Sequence, residues 1–255
     1  MNYYYFVGSS LPVLKIETSP EITFDDLLSL IQTNFEEKDL EKVNKLRRFI
    51  DIKNLKKYWL KQPIDMRGNL KEKEIEEQVL IHDFFSGFVF DFIEKYENIQ
   101  DRIKYFSSLL AHFFQREIEE NQDFLSQYFS FERNVRLILL ALRSKKYNRD
   151  ISKELQFEDF KDPLVANILS QKDMDRFDPP SGYEELANIY LEHEMDPIKL
   201  SMELIKYKLR TISEMVFLKP FTVDYILGYM VRLMLVEDWQ IANEQKARQI
   251  VDSLL

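Results

Sequence analysis

The stretch Thr222-Val-Asp-Tyr-Ile-Leu-Gly-Tyr-Met-Val-Arg-Leu-Met-Leu-Val-Glu-Asp-Trp239 decides the fold. Thr222 is a capping residue type, and from Val223 to about Trp239 the chain reads as a helix that is apolar on nearly every face. Such a helix belongs inside a core. Gly228 within it costs about 1 kcal/mol relative to alanine, so it marks a point where another helix comes close. The apolar run Phe221 to Val236 contains Asp224 and Arg232 and falls short of the roughly 20 residues that span a bilayer, so no transmembrane segment is expected.

Outward from that helix the same periodicity recurs. Asp196-Pro197, a cap followed by proline at the first helical position, leads into Ile205, Leu209, Ile212 and Val216. On the other side, Asn243 is expected to cap a final short helix carrying Ala247, Ile250, Val251 and Leu254. Val135, Ile138, Leu139 and Leu142 form a stripe ending in the basic stretch Arg143, Lys145, Lys146 and Arg149, where positive charge suits a helix C-terminus. Asp150 can cap the helix after it. A long helix is expected from Leu70, carrying Ile81, Phe84, Phe85, Phe88 and Phe92, then a turn at Asn98, then a second helix with Ile99, Ile103, Phe106, Leu110 and Phe113.

Nearer the start, Thr23 with Asp26 approximates a capping box, and Asp39 precedes the stripe Leu40, Val43, Leu46 and Ile50. Strand signals are confined to Tyr3–Val7 and Val13–Ile16, too little for a substantial sheet. The expected fold is therefore all-α: stacked antiparallel helical hairpins or bundles in one or two lobes, with at most a short N-terminal strand. Pro163, Pro179, Pro180, Ser181 and Gly182 lie close together. They suggest a division into an N-terminal helical lobe at 1–162, a connection at 163–182 and a C-terminal lobe at 183–255 packing on the first.

Composition narrows the function classes. Hydrophobic residues make up 45% and aromatics 14% of the 255 residues, too much apolar material for a disordered chain. The net charge of −9 argues against nucleic acid as the main partner. With no cysteine, disulfides, thiolate zinc sites and cysteine nucleophiles are impossible. The segment Met1–Ile16 lacks a basic start and is interrupted by Pro12 and Lys15, so it makes a poor signal peptide, and a cytoplasmic location is expected.

Motifs for chemistry are missing at each place they would be sought. His193 stands between Glu192 and Glu194, but residue 197 is Pro197, so H-E-x-x-H is not formed. Val79, Leu109 and Tyr190 occupy the positions where Glu would precede His82, His112 and His193 in a di-iron Glu-x-x-His pattern. Glu117, Glu119 and Glu120 read as a solvated helix face rather than an acid–base pair. Gly8, Gly68, Gly87, Gly182 and Gly228 build neither G-x-G-x-x-G nor a Walker A loop, and no G-x-S-x-G elbow occurs. The basic cluster around Tyr147 could contact phosphate, but dipole matching at a helix end explains it. No catalytic, cofactor-binding or metal-ligating residue is assigned, and a non-enzymatic chain is expected.

Three segments add a resemblance: Tyr3-Tyr4-Tyr5-Phe6-Val7 with Ser9-Ser10-Leu11-Pro12, Phe131-Glu132-Arg133-Asn134 through Ala141-Leu142-Arg143-Ser144-Lys145-Lys146-Tyr147, and Ile226-Leu227-Gly228-Tyr229-Met230. Together they resemble an uncharacterised bacterial family encoded within V/A-type ATPase operons, itself similar to the rotor subunit called C in prokaryotes and d in eukaryotes. The resemblance implies a helical, non-catalytic peripheral subunit that couples the central shaft to the membrane rotor ring, with other ATPase subunits as partners. It would be cytoplasmic, meeting the membrane only through those partners. This chain departs from the rotor subunit at Leu11-Pro12 and at Arg232-Leu233, where that family has Lys-Glu. The alternative expectation is a freestanding helical adaptor that binds peptides or regulatory proteins in a concave apolar surface near Asp162–Gly182.

Overall fold

The computed structural model describes the backbone of residues 3–81 and 84–254 and the side chains of 3–78 and 84–243. Among the described residues there are thirteen helices and no strand. The fold is therefore all-α. In chain order the helices are α1 (Tyr5–Ser10), α2 (Phe24–Asn34), α3 (Glu37–Trp59), α4 (Glu72–Ile81), α5 (Gly87–Lys95), α6 (Ile99–Lys104) and α7 (Phe106–Glu120). There follow α8 (Asp123–Lys146), α9 (Ile151–Glu154), α10 (Pro163–Ser170), α11 (Glu184–His193), α12 (Pro197–Val216) and α13 (Val223–Leu254).

The chain forms two compact units that do not follow the expected linear division. One is continuous, Glu41–Phe177; the other is split, joining Met1–Leu40 to Asp178–Leu255. The first 40 residues thus pack with the C-terminal helices, not with a lobe at 1–162, because α13 supplies the large apolar surface that the short α1 and α2 lack. The expected connection 163–182 is also part helix: Asp162 caps α10, its carboxylate accepting from Leu164 and Val165 N–H at 3.0 and 3.1 Å, with Pro163 at the first helical position.

In the continuous unit the core is aromatic. Phe49 on α3 lies 5.4 Å from Phe113 and 5.2 Å from Phe114, both on α7, and 6.1 Å from Phe129 on α8. Such ring pairs contribute about 0.5–1.5 kcal/mol each beyond burial. The single long helix expected from Leu70 ends as α4, and α5 begins afresh at Gly87 after Ser86 in extended backbone. The run of Phe is too dense for one helix face: Phe85 packs edge-on against both Phe84 and Phe90. Asn98 does mark a turn, capping α6 by accepting from Asp101 N–H, and the next expected helix is itself interrupted at Tyr105. α8 ends in a left-handed Asn148, with Arg149 N–H donating to Ser144 C=O at 2.8 Å, a Schellman arrangement.

In the split unit α12 and α13 form the main hairpin, joined by α11 against α12 and by α1 and α2 against α13. A Cβ on Gly228 would stand 2.8 Å from Val216 Cγ1, so the close approach expected at Gly228 is the α12–α13 contact itself. The capping box at Thr23 is complete, with Asp26 N–H donating to Thr23 Oγ1 at 3.2 Å and Thr23 N–H to Asp26 Oδ2 at 3.1 Å. Glu237 of α13 accepts from Phe24 N–H at 2.8 Å, placing an anion on the positive end of α2.

Three local expectations change. Tyr5–Ser10 is a helix, and the strand signal at Tyr3–Val7 reduces to one bridge between Tyr3 and Thr222, since no neighbouring strand exists to pair with it. Val13–Ile16 forms no strand, and Ile16 enters a turn; α13 side chains hold the segment instead, Tyr229 OH donating to Pro12 C=O and Gln240 to Ile16 C=O, each at 2.9 Å. Asn243 caps nothing, because α13 continues through it to Leu254. Asp39, ahead of its stripe, lies within the first turn of α3, buried and accepting from Tyr4 OH at 2.6 Å.

Candidate interaction surface

The histidines do not converge. His82 lies outside the described residues, and His112 is exposed, its Nδ1 2.9 Å from Ser108 C=O. His193 Nε2 lies 3.9 Å from the neighbouring Glu192 carboxylate. The carboxylates of α7 are partly divided: Glu120 pairs with Arg116 at 2.8 Å, whereas Glu117 is buried and hydrogen-bonded by Asn121 at 2.7 Å. Burial pushes the Glu117 carboxyl above its usual range, against the Asn121 hydrogen bond and the charges of Arg48 and Lys45. Among the described residues no group of three or more His, Asp or Glu is placed to hold a metal ion.

The basic cluster is turned to structural use. Lys145 Nζ donates to the Gln171 and Lys172 carbonyls, each at 2.7 Å, and to that of Met174, satisfying the open end of α10. Arg149 and Lys146 lie over the exposed Tyr147 ring at 5.7 and 5.6 Å.

Sequence reasoning missed a buried ion network in the continuous unit. Arg133, on α8, reaches Glu158 at 3.1 Å and Asp162 at 3.0 Å, and Arg136 one turn on pairs with the other oxygen of Glu158. Burial lowers the Arg136 guanidinium pKa, opposed by Glu158. Arg133 and Arg136 are spaced i, i+3, but nothing in the pattern of 154–162 told that Glu158 returns to them. Beside the network is a cavity of about 210 Å³ whose walls include Gln115, Ile118, Arg133, Glu158 and Asp162. Of its charged groups, Arg133, Glu158 and Asp162 are engaged with one another.

A second buried carboxylate, Asp51 on α3, is held chiefly by neutral hydrogen-bond donors. It accepts from Leu70 N–H at 3.1 Å and the Asn69 amide at 2.8 Å, while Asn54 exchanges two 2.8 Å bonds with Asp65, so α3 clasps the loop before α4. Burial pushes the Asp51 carboxyl up to about 6, opposed by the Leu70 and Asn69 bonds and by the charge of Arg47.

The split unit has exposed apolar groups of its own. Tyr4 N–H donates to Phe221 C=O at 2.7 Å, the Tyr5 ring lies 5.2 Å from that of Phe221, and Tyr3 stacks on Tyr5 at 5.6 Å. Phe221 holds a left-handed backbone, φ +64°, a conformation that costs about 1–3 kcal/mol in a non-glycine residue. Gly8 makes room for it, since a Cβ there would stand 2.6 Å from Phe221 Cδ1. The turn so held carries Phe217 and Leu218, 78% and 87% exposed, on a unit that also exposes Tyr3, Tyr5 and Phe6. These side chains form an apolar shelf of the kind that marks association surfaces.

With thirteen helices and no strand among the described residues, the chain is an all-α protein. The chain itself belongs to the family described as Protein of unknown function (DUF2764), which matches residues 1–255. It is similar to proteins named "Uncharacterized protein" from Chlamydia muridarum and Chlamydia trachomatis, 28% identical over 258 residues, covering 99% of this chain and 97% of each relative. A Chlamydia pneumoniae relative is 28% identical over 260 residues, covering 100% of this chain and 98% of its own length. No solved structure matches. No helix among the described residues is long and apolar enough to cross a membrane.

Proposed function

We propose that this chain is a non-catalytic peripheral subunit of a V/A-type ATPase, coupling the central shaft to the membrane rotor ring at the cytoplasmic face. The observation that carries the reading is the apolar shelf. It includes Tyr3, Tyr5 and Phe6, from one of the segments through which the sequence resembles the operon family, together with the turn that precedes another, Ile226–Met230. A rotor cap binds by shape and surface rather than by reaction chemistry, and an exposed aromatic shelf suits that task. Its partners would be shaft and ring subunits, with no nucleic acid and no cofactor.

The test is affinity purification of the full-length chain from detergent-solubilised native membranes, followed by identification of what accompanies it. Shaft and ring subunits are expected, and their loss from a Phe217→Asp, Leu218→Asp variant would tie them to the shelf. A purification free of every ATPase subunit would remove the proposal in favour of the freestanding adaptor. The adaptor reading has weaker support, because the cavity beside Asp162 mixes charged walls with Ala111, Ile118 and Phe157 and is not a predominantly apolar groove.

A further inference from the structure

The loop that joins α9 to α10 is tied to α8 by the Arg133–Glu158 and Arg133–Asp162 pairs. Two successive tight turns shape it, Glu158 N–H donating to Leu155 C=O at 2.9 Å and Asp162 N–H to Asp159 C=O at 3.0 Å. Leu155 and Glu158 are buried, while Asp159 and Lys161 are exposed. This loop, α7 and Arg133 line the cavity of about 210 Å³ described above. One water needs about 10–15 Å³ of such space, so the cavity is large enough for a small organic molecule.

The charged groups of its walls fall into two sets. The buried members, Arg133 and Glu158, are each 9% exposed, and with Arg136 and Asp162 they set two guanidiniums against two carboxylates, leaving no net charge. Three nitrogens of Arg133 meet these carboxylates, which fixes the guanidinium in place. An arginine has five N–H donors, so two remain. The exposed members are Glu119 of α7 with Asp159 and Lys161 of the loop. Glu119 uses one oxygen to accept from the Gln115 amide at 3.2 Å, and Asp159 uses one to accept from Lys161 N–H at 2.9 Å, so each carboxylate keeps its second oxygen. Lys161 adds an ammonium, and Phe157 and Ile118 supply apolar wall.

We propose that this cavity binds an α-amino acid with an apolar side chain. The Lys161 ammonium and the remaining Arg133 N–H groups take the ligand's carboxylate, Glu119 and Asp159 take its ammonium, and Phe157 and Ile118 take its side chain. Charge balance selects this class of molecule. The buried set is already neutral, so a simple anion would leave Glu119 and Asp159 facing it, and a simple cation would leave Lys161 facing it. A zwitterion offers a partner to both signs and does not change the charge of the site. The inference stands apart from the ATPase reading, because it concerns a cavity within the continuous unit and not the shelf.

The test is isothermal titration calorimetry of the full-length chain with L-phenylalanine, phenethylamine and 3-phenylpropanoate, which share a ring suited to Phe157 and differ in charge. L-phenylalanine should bind saturably at one site. Phenethylamine lacks the carboxylate and 3-phenylpropanoate the ammonium, and each should bind at least about tenfold more weakly for the loss of one charge-assisted contact. Lys161→Gln should weaken L-phenylalanine by about tenfold and phenethylamine not at all. Asp159→Asn with Glu119→Gln should weaken L-phenylalanine and leave 3-phenylpropanoate no weaker. All three positions are exposed, and urea midpoints establish that the variants fold; Asp159→Asn alone serves if the double change does not. No saturable binding of L-phenylalanine, equal affinity for the three molecules, or unaltered L-phenylalanine binding in either variant would each overturn the proposal. Failure here leaves the ATPase assignment standing, and a purification without ATPase subunits leaves the cavity site standing.

Discussion

The continuous unit takes charge out of water, setting Arg133 and Arg136 against Glu158 and closing α3 over the lone carboxylate of Asp51. The split unit buries its carboxylates singly, Asp39 under the Tyr4 hydroxyl and Asp224 at 2.7 Å from Lys219, and leaves Leu218 and Met195 in solvent. The two arrangements differ in what they contribute to the fold. A buried ion network stabilises little by itself, but it tolerates few alternative arrangements, so it fixes how α8 meets the loop at 158–162. Exposed apolar groups do nothing for the isolated fold, and their gain comes when a partner removes them from water.

That contrast breaks most readily at Glu158. Glu158→Ala leaves two guanidiniums facing a buried site without their shared partner and is expected to cost about 3–5 kcal/mol in urea unfolding. A loss near that of an ordinary surface substitution would show that the network is hydrated and unimportant.

Asp51 provides the next largest effect, with the opposite dependence on ionisation. Its folded-state pKa of about 6 stands above the ordinary 3.8, so the native state holds the proton more tightly than the unfolded chain does. The stabilisation this brings is complete below the unfolded pKa and is lost as pH rises through the folded one, a swing of about 3 kcal/mol between roughly pH 4 and pH 6. Urea midpoints measured across that window should carry this contribution in the native protein, and Asp51→Asn should flatten it.

In the split unit the sensitive point is steric. Gly228→Leu pushes a side chain into Val216 and is expected to cost about 1–3 kcal/mol, partly recovered by adding Val216→Ala. Thr23→Ala removes one half of the α2 capping box at about 1 kcal/mol. Smallest of all, Phe217→Ser should shift stability by no more than about 0.5 kcal/mol, as expected for an exposed position, while weakening whatever association the shelf supports. Thermal or urea unfolding alongside the purification described above separates these two readouts.

Much of the helical layout is legible without coordinates. The Thr23–Asp26 capping box, the Asp150 and Asp196 caps and the need for glycine at 228 depend on neighbours within a turn or on one packed face, and local chemistry expresses them. The interruptions at Ser86 and Tyr105 were not legible, because Phe-rich runs satisfy a helical period whether or not one helix can aim all the rings inward. The N-terminal strand signal misled for a related reason: Tyr-rich segments favour extended backbone only when another strand is there to pair with them. The expected absence of a catalytic constellation came from motif spacing, whereas Glu158 meeting Arg133 is a contact across 25 positions that no spacing rule encodes.

By itself the sequence determined the all-helical class, most helix starts and the apolar character of α13, since these follow from side-chain chemistry repeated every three to four residues. Only the tertiary structure decided that the first 40 residues pack with the C-terminal helices, that Lys145 serves the end of α10, and that Phe217, Leu218 and Met195 stay exposed while equally apolar neighbours are buried. The physical reason is that burial belongs to a pair of surfaces. A side chain's hydrophobicity is written at its own position, but whether another element covers it depends on where distant parts of the chain have come to rest.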